Sequence, residues 1–149
     1  MRISLRRKIE QARSEDGQSM IELAVTLPTL LAVIFCFMEL SLVFYTYNMI
    51  SEAAREGTRY AMTRGAACPT TANPTCEVTA AQVNSYVSGL GWPNIGAGTM
   101  TVATSYPDGD EVAGHRVKVK VTYVFPIKMP FVPTNSISMG TTSQMIIIQ

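Results

Sequence analysis

Two carboxylates set within an otherwise apolar run are the side chains of this sequence best placed to do chemistry. Glu22 and Glu39 are the only charged residues between Met20 and Ile50. A carboxylate in hydrocarbon is expensive unless it meets a cation, a hydrogen-bond donor or the headgroup layer. Glu22 therefore either turns to a cationic partner in an assembly or sits at headgroup depth, paired with Arg13 or with water. Glu39 lies about 26 Å further along an ideal helix, so the two cannot both sit deep in one thin slab unless one faces protein. It either meets a partner or marks the outer edge of the run, with Tyr45 and Tyr47 as an interfacial aromatic belt.

The rest of the chemical inventory is thin. His115 is the only histidine and stands beside Arg116 at the start of an alternating segment, the setting of a surface residue and not of a base. No Ser/His/Asp spacing, phosphate-binding loop, metal-spaced cluster or dinucleotide turn occurs, so no catalytic, cofactor-binding or metal residue is assigned. Asp108, Asp110 and Glu111 cluster at a turn, but three carboxylates fall short of a dedicated calcium site. Net charge is +1 and the basic residues are scattered after the amino terminus, which argues against a nucleic-acid partner. Cys36 lies inside the apolar run as a small packing residue. Cys68 and Cys76 close a short loop containing Pro69 and Pro74 and can reach disulfide distance, a bond that persists in an oxidising compartment.

The elements that hold these residues follow from the hydrophobic pattern. Residues 1–17 are basic and end in Glu15-Asp16-Gly17, and the apolar run that follows exceeds the roughly twenty residues needed to cross a bilayer. The basic flank keeps the amino terminus cytoplasmic and places everything after Ile50 outside. Ser51 to Arg64 is rich in helix formers and continues the same helix into water, with Gly65 as its cap. Ala53, Gly57 and Ala61 recur every four residues and form a stripe of small side chains where helices can approach closely. Alternatively, Gly57 only weakens an exposed helix, by about 1 kcal/mol.

Beyond the cysteine loop, Thr79 to Ser88 reads as a short helix ended by Gly89 and Gly91, followed by a glycine-rich loop holding Trp92. Thr99 to Tyr106 and Arg116 to Phe125 read as a hairpin around Asp108-Gly109. In the second strand Val117, Val119, Val121 and Tyr123 alternate with polar residues, so one face is buried against a helix. Ser136 to Ile148 is a candidate third strand after Pro126, Pro130 and Pro133 interrupt the chain.

The junction EDG-QSMIELAV resembles the class III signal of type IV pilin-like proteins, which a membrane-embedded prepilin peptidase cuts after the glycine. The resemblance implies cleavage between Gly17 and Gln18, placing Glu22 at mature position five, where family members bury the glutamate against the amino terminus of a neighbouring subunit. The new α-amino group at Gln18 would be a suitable cation for it. Pro28, the second glutamate Glu39 and the segment AAREGTRYA make residues 15–64 similar to the TadE-like subunits of tight-adherence (Flp) pilus systems. The later VKVKVTYVFP stretch is similar to the same family's carboxy-terminal region. Gln18 departs from the bulky apolar residue that follows the cleaved glycine in better-known pilins.

The expected fold is α+β: a basic leader (1–17), a transmembrane and extended helix (18–64) and a small β-rich periplasmic globule (65–149). The expected function is that of a minor pilin or pseudopilin of the inner membrane, assembling through Glu22, Glu39, Ala53, Gly57 and Ala61. Implied partners are the prepilin peptidase, other pilin subunits in a hetero-oligomer and the assembly platform; no cofactor is implied. The competing expectation is a membrane-anchored periplasmic interaction module that never enters a filament.

Overall fold

The computed structural model describes residues 2–68, 76–90, 98–128, 133 and 135–148, with side chains from Gly17 onward. Trp92, Pro69, Pro74 and Pro130 lie outside the described residues. The chain forms helix α1 (Arg2–Met62), helix α2 (Ala80–Gly89) and strands β1 (Thr99–Ser105), β2 (Arg116–Ile127) and β3 (Asn135–Ile146). It divides into two compact units, Met1–Glu39 and Leu40–Gln149, so the last stretch of α1 belongs with the globule expected to begin at residue 65.

The first unit is helix alone. An apolar stretch within Gly17–Met62 reaches a mean hydropathy of 2.2 and is compatible with a single-pass membrane anchor. Large side chains from Met20 to Met38 are exposed along it. Pro28 sits inside α1, where its missing N–H leaves the carbonyl of Ala24 without the usual helical donor.

In the second unit both helices lie on one face of a three-stranded antiparallel sheet of order β1-β2-β3. The alternation in β2 is realised strictly, with Val117, Val119, Val121, Tyr123 and Phe125 buried between exposed Arg116, Lys118, Lys120 and Val124. From α1 come Ile50, Ala53, Ala54 and Ala61, from α2 Val83 and Val87, and from β3 Met139. Phe125, Ile147 and the valines are the bulk of this core, and its helix side is built from small residues.

Local chemistry explains where the elements begin and end. α1 stops at Met62, ahead of the cap expected at Gly65, in a tight turn from the Arg64 N–H to the Ala61 carbonyl. α2 opens with a reciprocal capping box. The Thr79 hydroxyl accepts from the Gln82 N–H, and the Gln82 side chain accepts from the Thr79 N–H. The connector between β1 and β2 turns at Gly109 and Gly114, whose φ values of 101° and 93° favour glycine. Pro126 does not interrupt β2. It lies past the last β1 partner, since Thr99 pairs with Val124, so no neighbouring strand there needs its N–H.

Cys68 and Cys76 are joined by a disulfide, with Cα atoms 5.6 Å apart, while Cys36 is free and exposed. In the chain-entropy description, closing so short a loop stabilises the globule by about 2–3 kcal/mol. Reduction should lower the urea midpoint of the globule accordingly. Alkylation should modify Cys36 alone before reduction and all three cysteines after it; two further reactive thiols in oxidised protein would contradict the bond.

Candidate functional site

The site-bearing residues fall into two groups, one in each unit. In the first, Glu22 is exposed, and among the described residues its carboxylate has no partner. Around it the helix satisfies its own hydroxyl groups. Thr26 Oγ1 donates to the Glu22 carbonyl at 2.8 Å and Thr29 Oγ1 to the Val25 carbonyl at 2.9 Å, which lets both threonines stand in an apolar setting. The surface between Leu23 and Val33, around Pro28, is apolar and open. Gly17 is open as well, with nothing near the position of an added Cβ.

Glu39 differs from Glu22. It is half-buried, and among the described residues its Oε2 is buried without a hydrogen-bond partner. An ionised oxygen in that state is destabilising until a donor or cation reaches it. Tyr45 and Tyr47, six and eight residues on, are each 47% exposed.

In the second unit the structure corrects the reading of the small-residue stripe. Ala53, Gly57 and Ala61 are all buried within the chain's own globule and do not form an outward face for other subunits. A Cβ at Gly57 would lie 2.6 Å from Val87 Cγ2 and 3.2 Å from Val119 Cγ1, so the absent side chain admits α2 and β2 at once. The glycine is therefore neither an assembly contact nor a mere weakening of an exposed helix. Next to it the Thr58 hydroxyl, fully buried, meets Ser143 Oγ at 2.9 Å and ties α1 to β3.

A contact that the sequence does not announce lies one turn further on. Tyr60 and Tyr86 stack with centroids 3.9 Å apart, and the Arg64 guanidinium covers the Tyr60 ring at 4.0 Å. The Tyr86 hydroxyl donates to Glu56 Oε1 at 3.4 Å, so α1 and α2 are joined by an aromatic and polar clasp. Residues 26 and 30 positions apart give no periodicity from which these pairings can be read.

The acidic turn is occupied by its own neighbours. Asp108 accepts from the Arg116 N–H at 2.8 Å, from Nε at 3.0 Å and from Nη2 at 2.6 Å. The Arg116 guanidinium holds the Asp108 carboxyl down at about 2. Asp110 pairs with His115 Nδ1 at the surface. Tyr106 is pushed up to about 12 by burial and by nearby Glu111. Each carboxylate thus serves a different partner. Among the described residues, no group of three or more His, Cys, Asp or Glu is arranged to hold a metal ion.

The first unit thus presents an open apolar helix with two carboxylates, and the second a globule packed around its own core. No curated protein and no solved structure matches the chain. Residues 17–59, from the glycine that heads the apolar run past the buried Gly57, match the family model of TadE-like proteins, and over this segment the chain is similar to that family.

Proposed function

We propose that this protein is associated with a Tad pilus as a minor pilin or pseudopilin, cut after Gly17 by a prepilin peptidase and assembled with other subunits through the amino-terminal half of α1. The observation that carries this reading is the coincidence of the TadE-like match with an apolar helix whose head presents an open glycine and a carboxylate that has no partner among the described residues. The basic leader supports a cytoplasmic amino terminus and a periplasmic globule. Glu22 would meet the α-amino group of Gln18 on a neighbouring subunit, and the buried Oε2 of Glu39 would take a second donor.

The mass of the intact protein extracted from membranes tests the processing step. A mature chain beginning at Gln18 is expected. A chain still beginning at Met1, or one cut beyond Ile50, would favour a plain anchored module that stays out of any filament.

A further inference from the structure

The two edges of the sheet are treated differently. In antiparallel pairs the N–H and C=O of successive residues point alternately toward and away from the neighbouring strand. The outward Thr104 N–H of β1 donates to Asn84 Oδ1 at 3.0 Å, and the Thr104 hydroxyl to the same oxygen at 2.8 Å, so α2 occupies that edge at Thr104. At the other edge, Ile147 donates to His115 and accepts from Gly114, which sets the odd-numbered residues of β3 toward β2. The N–H and C=O groups of Ser136, Ser138, Gly140, Thr142, Gln144 and Ile146 therefore point away from the sheet. Among the described residues nothing pairs with them.

Among the described residues this edge is uncovered from Ser136 to Ile146, and only past the strand does an outward group, the Ile148 N–H, donate to the Met62 carbonyl at 3.0 Å. β3 has 12 residues and contains no charge and no proline. Gly140 stands in its middle although the fold does not require glycine there. Its φ is not positive, and a Cβ would make only ordinary contacts, 3.6 Å from Thr122 Oγ1 and 3.8 Å from the Val121 carbonyl. A glycine inside a strand weakens it and commonly marks the close approach of another backbone.

From these observations we infer that β3 accepts an extended segment of a different protein as a fourth strand, with acidic side chains on its solvent face. The charge pattern identifies the occupant. Lys118 and Lys120 stand on the exposed face opposite Gln144 and Thr142, and neither has an ion-pair partner among the described residues. An added strand lies about 4.8 Å beyond β3, within reach of lysines leaning over those uncharged residues. A second copy fits poorly. Its β1 edge is occupied by α2 at Thr104, and antiparallel β3–β3 pairing places two rows of lysines on one face. This inference rests on the reading of the chain as an assembling, membrane-rooted subunit.

The test is residue-resolved hydrogen–deuterium exchange on the full-length chain, in membranes of its own cells and purified in detergent. In membranes the amides of Ser138, Gly140, Thr142 and Gln144 should exchange at least tenfold more slowly than in detergent, with those of Met139, Thr141 and Ser143 unchanged. The double variant Lys118→Glu/Lys120→Glu should lose that tenfold protection while its unfolding midpoint in detergent stays near the parent's. Thr142→Pro, which removes one outward N–H, should lose it too. Equal exchange in the two settings overturns the inference, and so does protection that persists in the charge-reversed chain. Protection of the detergent-purified chain that grows with its concentration assigns the edge to a second copy and overturns it as well. The pilin reading is judged separately by the mature mass: a protected edge on an uncleaved chain sinks that reading and keeps this one, and a cleaved chain with a free edge does the reverse.

Discussion

Replacing Gly57 with leucine is expected to unfold the globule, at a loss of about 3 kcal/mol, the upper end of what forced overpacking usually costs. The site has no slack. The first added carbon already meets Val87 Cγ2 at 2.6 Å, and Val87 is itself fully buried. A valine on a helix has one strongly preferred rotamer, so Val87 cannot swing aside. Nor can β2 retreat, because Val119 is buried and β2 is paired on both sides. Even Gly57→Ala should destabilise, although alanine improves helix propensity by about 1 kcal/mol at an exposed position. Urea unfolding of the full-length chain, together with protease resistance of its globule, measures both effects. A Gly57→Leu chain with parental stability but impaired association would return the stripe to an assembly role and refute the packing described above.

Replacing Glu22 with alanine is expected to do the opposite, leaving the globule intact and removing association with partner subunits. Glu22 belongs to the first unit and is exposed, so the urea midpoint of the globule should be unchanged. Membrane insertion should not suffer either, since removing a carboxylate from an apolar span lowers the transfer penalty. Loss of a charge pair in a water-poor interface should reduce crosslinking to other pilus subunits at least tenfold, about 1.4 kcal/mol or more. Glu22→Gln keeps the shape and one acceptor but not the charge, and should fall between the parent and alanine. If Glu22→Ala crosslinks and supports adherence like the parent, the carboxylate is not an assembly contact, and the anchored-module reading becomes the better one.

These two residues also show what the chain announces in one dimension and what it does not. The apolar run, its two carboxylates and the basic leader are local, and their physics concerns each residue against its solvent. The helix–membrane pattern and the TadE-like resemblance over residues 17–59 were therefore legible directly. So were the hairpin at Asp108-Gly109, through the left-handed glycine it needs, and the buried face of β2, through its period of two. Sequence alone also placed α2 and all three strands to within a few residues. The role of Ala53, Gly57 and Ala61 was not legible. A small-residue stripe says only that something approaches closely, and whether that is another subunit or the chain's own Val87 and Val119 depends on contacts 30 and 62 positions away. The same holds for the Tyr60–Tyr86 stack, the Asn84 contact with β1 at Thr104 and the open edge of β3. Each is set by which faces the tertiary structure brings together, because side-chain periodicity fixes the face a residue occupies and only packing selects what that face meets.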